Sequence, residues 1–250
     1  MVDNGTPKRR DSFHQLCQYW EVSDAERPTY RDLYDHQKDG VYNYPGIVFI
    51  SDSTLVENPR GDIRYGKFSL KGNEISAIFD DGAKAIYIID EKQPGEMMIR
   101  REQTEQSTVL HLKSSNVFYE TAEVNPYAKK NSLWRMKPAA PQNEAELRLK
   151  LKDCVKFYRY FFQGHVQSKS DEIDFAGLPT CFKWYRGGIF VHSEKKLDQK
   201  WIDCFYSKDQ AMIARQKMQD ILQKKYDWDT TQKNWLKQLI PVLTQVEAQL

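Results

Sequence analysis

The chain has 250 residues with 37 Lys plus Arg against 35 Asp plus Glu, a net charge of +2, which is too weak a field to make a nucleic-acid polymer the default partner. Hydrophobic residues make up 40% and charged residues 29%, with 12 Gly and 10 Pro, so collagen-like and broadly disordered chains are excluded and one large or two small packed domains are expected. Apolar runs such as 47–50 and 85–89 are about five residues long, whereas a membrane-spanning helix needs roughly 20.

Lys8, Arg9 and Arg10 are followed by Asp11, Ser12, His14 and Gln15, where a signal peptide would carry its apolar stretch. The sequence as given therefore predicts a soluble chain, cytoplasmic at face value, or of the cell envelope if it is a mature form. The four cysteines, Cys17, Cys154, Cys181 and Cys204, are far apart and make no C-x-x-C pair. Buried free thiols are expected rather than a zinc site or a redox pair.

From residue 46 onward, eight short β-like runs are expected: 47–50, 54–57, 64–70, 74–79, 84–89, 97–101, 108–113 and 117–120. Turn chemistry separates them, as in Lys71-Gly72-Asn73, Asp80-Asp81-Gly82 and Gln93-Pro94-Gly95. Strands recurring about every ten residues signal an antiparallel meander, closed as a barrel or folded as a sandwich. Phe68 and Leu70 alternate with Lys67 and Ser69, and Leu110 and Leu112 with His111 and Lys113, so one face is wet. Residues 85–89 are apolar on both faces, which calls for a second protein layer supplied by the C-terminal half.

Residues 126–142 read as a connector, basic and aperiodic. Asn143 with Glu146 then opens a helix whose apolar stripe (Leu147, Leu151, Cys154, Val155, Tyr158, Phe161, Phe162) ends at Gly164. Aromatic and β-branched runs around Arg186-Gly187-Gly188 predict a β-hairpin near 181–192. Ser207 with Gln210 resembles a capping box opening a helix through Met218 and Leu222. A last helix begins near Asp229 and carries Trp235, Leu236, Leu239, Ile240, Leu243 and Val246, with a kink or break at Pro241. The class is α+β: a barrel over 1–125, the connector, then a mainly helical region over 143–250.

The segments Cys17-Gln18-Tyr19-Trp20-Glu21-Val22, Pro45-Gly46-Ile47-Val48-Phe49, Asn58-Pro59-Arg60-Gly61, Gly66-Lys67-Phe68 and Phe79-Asp80-Asp81-Gly82 resemble the uncharacterised lipocalin-like proteins of bacteria. The likeness covers about residues 13–125, with Gln18 standing where the lipocalin signature has Gly two positions before its Trp. It implies a small up-and-down β-barrel with Trp20 plugging one end. It carries over no catalytic residue, and it has no counterpart for the helical half.

The sequence contains no G-x-S-x-G, H-E-x-x-H, G-x-x-x-x-G-K-S/T or G-x-G-x-x-G, which disfavours the common hydrolase and nucleotide-dependent classes. The histidines 14, 36, 111, 165 and 192 are isolated, and surface or structural roles are favoured for each over metal binding or catalysis. Asp80-Asp81 and Asp171-Glu172-Asp174 could share a proton, but turn and polar-loop contexts favour solvated charge. Tyr127, Lys129, Lys130, Trp134, Arg135 and Lys137 interleave rings and cations, a pattern that suits base stacking, although a connector anchored by a buried Trp is favoured.

Aromatic content is the most informative anomaly, with 14 Tyr, 12 Phe and 6 Trp. The favoured function is a non-enzymatic, lipocalin-like binding protein for an apolar or aromatic small molecule, without metal or cofactor. Phe68, Leu70, Ile75, Phe79, Tyr87 and Leu110 are the expected cavity lining. The alternative is a structural or protein-interaction module with a solid barrel core and an aromatic docking surface in the C-terminal half. An enzyme with an unrecognised carboxylate or histidine site stands third.

Overall fold

A computed structural model describes residues 13–23, 46–59, 63–102, 107–115, 122–167, 197, 199–222 and 232–250. The chain divides into two compact units, Met1–Glu123 and Val124–Leu250.

Turns with enforced geometry space the strands of the first unit. Gly72 between the fourth and fifth strands has φ 65°, and Gly95 between the sixth and seventh has φ 82°, a region that L-residues with a Cβ avoid. The strands are β1 (Tyr19–Val22), β2 (Gly46–Phe49), β3 (Thr54–Glu57), β4 (Arg64–Lys71), β5 (Glu74–Phe79), β6 (Lys84–Gln93), β7 (Glu96–Glu102) and β8 (Thr108–Ser114). Each pairs antiparallel with the next, and β8 returns to β1, so the sheet closes into a barrel. In the closing seam Trp20 lies opposite Ser114 and Val22 opposite Leu112, while on its other edge Trp20 meets Ile47.

Seven of the eight expected runs appear as strands, and β1 was not among those runs. The run 117–120 lies outside the described residues, as does the hairpin near 181–192. β6 also runs four residues beyond the expected 84–89, through an irregularity between Ile89 and Glu91 that lets the polar Asp90-Glu91-Lys92 stretch stay paired with β7.

Closure gives the alternation one meaning in every strand: one parity points in. Leu55 on β3, Phe68 on β4, Ile75 and Phe79 on β5, Tyr87 on β6, Ile99 on β7 and Leu110 on β8 share a single buried cluster. At one end a helical turn at residues 13–16 caps the barrel. There the Trp20 indole N–H donates to the Leu16 carbonyl at 2.9 Å, and the Phe13 ring stacks on Phe68 with centroids 5.7 Å apart. On the outer face Ile78 and Ile86 are 56% and 38% exposed. Two isolated isoleucines on a pleat are tolerated in water, since a surface is never wholly polar.

In the second unit the Asn143 and Glu146 side chains each accept from the other's backbone N–H at 3.0 Å, the reciprocal capping box that starts α1 (Glu144–Gln167). α1 runs past Gly164, because Gly164 and His165 are both buried and His165 packs on Phe161 with ring centroids 4.4 Å apart. α2 (Lys208–Leu222) starts where the Gln210 backbone N–H donates to Ser207 Oγ at 3.2 Å; the Gln210 side chain turns instead to the Gln142 carbonyl.

α3 (Gln232–Gln249) continues through Pro241, so the expected break does not occur there. Leu236 and Leu239 before the proline and Val242, Leu243 and Val246 after it are all buried along a face that packs on α1, so tertiary burial outweighs one lost backbone hydrogen bond. Residues 126–142 are not purely a connector. Lys129–Ser132 and Leu133–Arg135 form short helical turns that set Tyr127 and Trp134 against Phe157. Cys17, Cys154 and Cys204 are free thiols, and Cys181 lies outside the described residues.

Trp20→Ala removes a fully buried indole and one of the two hydrogen bonds that the Leu16 carbonyl accepts, the other coming from the Gln18 backbone N–H, and is expected to destabilise the first unit by ~3–5 kcal/mol. Urea unfolding followed by circular dichroism checks this, and an unchanged midpoint would contradict the packing described.

Candidate functional site

Strand direction places the ends of β3, β5 and β7 and the starts of β4, β6 and β8 at the barrel end away from Trp20. Four polar side chains share the inward parity there. Glu57 lies opposite Arg64 across β3 and β4, and Tyr87 opposite Arg101 across β6 and β7. Inside the barrel the two pairs meet. The Tyr87 hydroxyl donates to Glu57 Oε1. Arg64 Nη1 lies 3.5 Å from Glu57 Oε2, and Arg101 Nη2 lies 3.8 Å from Oε1.

The Glu57 side chain has 0% exposure, Arg101 11% and Arg64 28%, so the cluster runs from the dry interior toward water. Aromatic faces support both cations. The Arg64 guanidinium sits 3.8 Å from the Phe79 ring centroid and that of Arg101 5.9 Å from the Tyr87 ring. On its outer side Arg64 grips Asp81 through Nε and Nη2 at 2.9–3.1 Å. The Ala83 backbone N–H and, after it, this guanidinium hold the Asp81 carboxyl below the ordinary aspartate range. The Asp80-Asp81-Gly82 turn is thus solvated, as expected, and also braces an interior cation.

Magnitudes decide what the cluster is for. Charge-assisted N–H···O bonds are normally about 2.7–2.9 Å, so the two guanidinium contacts to Glu57 are long. Burying such a group costs several kcal/mol per ion, which a loose pair recovers poorly and which apolar side chains of similar volume would avoid. Next to Glu57, Asn58 is 1% exposed with φ 48°, and its side-chain Oδ1 and Nδ2 find no partner.

Of the expected lining, Phe68, Ile75, Phe79, Tyr87 and Leu110 all face inward and are buried; Leu70 shares their face and is half-buried. Only Phe79 and Tyr87 reach the charged cluster. Glu57, Arg64 and Arg101 were missed, because a charged residue in a strand is ordinarily read as solvent-facing. Their signal was parity: Glu57 follows Leu55 by two, and Arg101 follows Met97 and Ile99 by four and two.

Other candidates are weaker. A groove of about 420 Å³ along β7 and β8 is lined by Glu91, Glu96, Met98, His111 and Lys113 among others, a mixed-charge surface. In the second unit the Lys150 ammonium donates to the Met136 carbonyl at 2.8 Å, and burial pushes it below the ordinary lysine range while the Cys204 and Cys154 thiols oppose the shift. The aromatic residues Trp134, Phe157, Phe161, Phe162, Trp201 and Phe205 are core, whereas Tyr206 is exposed. Asp171, Glu172, Asp174, His36 and His192 lie outside the described residues. Among the described residues no group of three His, Cys, Asp or Glu could hold a metal ion, and no helix is long and apolar enough to cross a membrane. No protein-family model, no curated protein and no solved structure matches this chain.

Two outcomes test this geometry. Glu57→Ala removes the anion that Tyr87 and both guanidiniums face, with an expected loss of ~3–5 kcal/mol in chemical denaturation; a change under ~0.5 kcal/mol would contradict the buried cluster. At the opposite end, burial pushes the Cys17 thiol up to about 11 against a smaller opposing pull from Lys92. The neutral thiol therefore persists well above pH 9. Iodoacetamide labelling of Cys17 in folded protein, read by peptide mass spectrometry, should keep accelerating between pH 9 and pH 10.5, whereas an ordinary thiol would be levelling off.

Proposed function

We propose that the N-terminal unit is a lipocalin-like binding module for a small apolar or aromatic molecule, and that it binds at the barrel end where Glu57, Arg64, Tyr87 and Arg101 converge. The observation that carries this reading is a charged cluster turned inward in a barrel otherwise lined by apolar residues. Stability alone does not favour such a cluster, whereas recognition uses a few polar groups placed in an apolar wall. Phe79 and Tyr87 supply aromatic surface beside it, and half-exposed Arg64 connects it to water. The role is binding rather than catalysis: the Glu57 oxygens are engaged by a phenol and two guanidiniums, an arrangement suited to holding a group in place.

A second reading rests on its own observation. Ile75, Tyr87 and Leu110 have no exposed surface and Phe79 has 2%, so the inward side chains close on one another. That favours a solid core serving a structural or protein-interaction role. On the first reading, side chains at the mouth rearrange when the ligand enters, at a cost in apparent affinity.

Native mass spectrometry of protein isolated from its own host separates the two. The binding reading expects a retained small molecule of a few hundred daltons that is released on unfolding. A bare chain mass, together with no thermal shift from a panel of apolar and aromatic compounds, would favour the solid core.

A further inference from the structure

We infer that the outer groove along β6, β7 and β8 binds a small zwitterion, one whose ammonium and carboxylate are separated by a short aliphatic chain. The groove has a volume of about 420 Å³, within the range of small-molecule sites, and it shares no residue with the charged barrel end. Backbone register is the first ground. Tyr87 and Ile89 on β6 point into the barrel, and strict alternation would send Glu91 in after them. The irregularity between Ile89 and Glu91 shifts the register, so that Glu91 lies opposite Met98, whose neighbours Met97 and Ile99 face the core. Glu91 therefore stands on the outer face beside Met98; re-aiming a side chain is a characteristic use of a bulge. Glu96, two residues before Met98, shares that face and lies opposite Lys113 of β8.

Charge is the second ground. Glu91, Glu96 and Lys113 all line the groove, and among the described residues none of the three makes a hydrogen bond or an ion pair through its side chain. Two carboxylates stand on β6 and β7, a half-buried thioether, Met98, lies between the rows, and one ammonium stands on β8. A ligand that answers all three carries both signs of charge on an apolar body, and a molecule with one charge answers only part of the groove. Spacing narrows the class further. Neighbouring strands lie about 4.8 Å apart, so an ammonium seated between Glu91 and Glu96 is roughly 5–8 Å from a carboxylate held by Lys113. An α-amino acid, whose two charged groups share one carbon, is too short for that span, whereas an ω-amino acid reaches it.

The test titrates nitrogen-labelled full-length protein at pH 7 with 6-aminohexanoate, its isomer norleucine, and the singly charged hexylamine and hexanoate, following backbone amides by nuclear magnetic resonance. The amides of Glu91, Met98 and Lys113 are expected to move with 6-aminohexanoate, which should bind about threefold or more tighter than each of the others, and at millimolar strength because exposed ion contacts are individually weak. Glu91→Gln should lower its affinity toward that of hexanoate and Lys113→Gln toward that of hexylamine, with the fold of each variant checked by circular dichroism. Equal binding of norleucine would overturn the spacing, and equal binding of a singly charged probe would overturn the zwitterion. No movement of those amides with any probe would mean that Glu96 and Lys113 satisfy each other across the strands, and would overturn the groove as a binding site.

Discussion

The pairing of β1 with both β2 and β8 is the constraint on which the N-terminal unit depends. Until that seam closes, the meander is an open sheet with two free edges, and neither face has a reason to be the dry one. Closure removes the edges and makes the inside a single shell to which every strand contributes alternate residues. A slip of one residue anywhere would send Phe68, Tyr87 or Leu110 to solvent, so the apolar parity pins the register and the register pins the seam. Trp20 makes this concrete: it sits on β1, faces inward, and its indole binds the helical turn that caps that end.

The same closure explains how four polar side chains, from positions 57, 64, 87 and 101, reach one point. Glu57, Arg64 and Arg101 are at or next to strand ends, Tyr87 is one turn of the pleat further in, and each has the inward parity. The pairs Glu57–Arg64 and Tyr87–Arg101 are ladder neighbours, and the barrel's curvature brings the two ladders together. The result is a site where a buried carboxylate meets a phenol and two guanidiniums, one of them also held by Asp81 on its solvent side, at the end opposite the Trp20 plug. A barrel selected only for stability would fill these positions with leucine or valine.

The fold was legible where residues announce geometry locally. Gly72 and Gly95 marked turns with positive φ, and the Asn143–Glu146 and Ser207–Gln210 spacings marked helix starts that the side chains cap in fact. β1 was hidden because Tyr19-Trp20-Glu21-Val22 is four residues long, bears no turn after it like those of the meander, and becomes a strand only through its two neighbours. Pro241 does not break its helix, because apolar side chains on both sides of it are buried. The charged cluster was invisible for a physical reason. Glu57 and Arg101 are buried by partners 44 positions apart in the chain, and nothing in either one's immediate surroundings shows that the other is near. The apolar lining, by contrast, followed from alternation alone, though alternation does not say which parity is inside.

Nuclear Overhauser contacts across the closing seam test the barrel most directly. In isotope-labelled full-length protein, backbone protons of Trp20 and Val22 should show cross-strand contacts to Ser114 and Leu112 on one edge, while Trp20 also contacts Ile47 on the other. Contacts to β2 with none to β8 would mean an open sheet, and with it neither the single inward face nor the convergence of Glu57, Arg64, Tyr87 and Arg101 would stand.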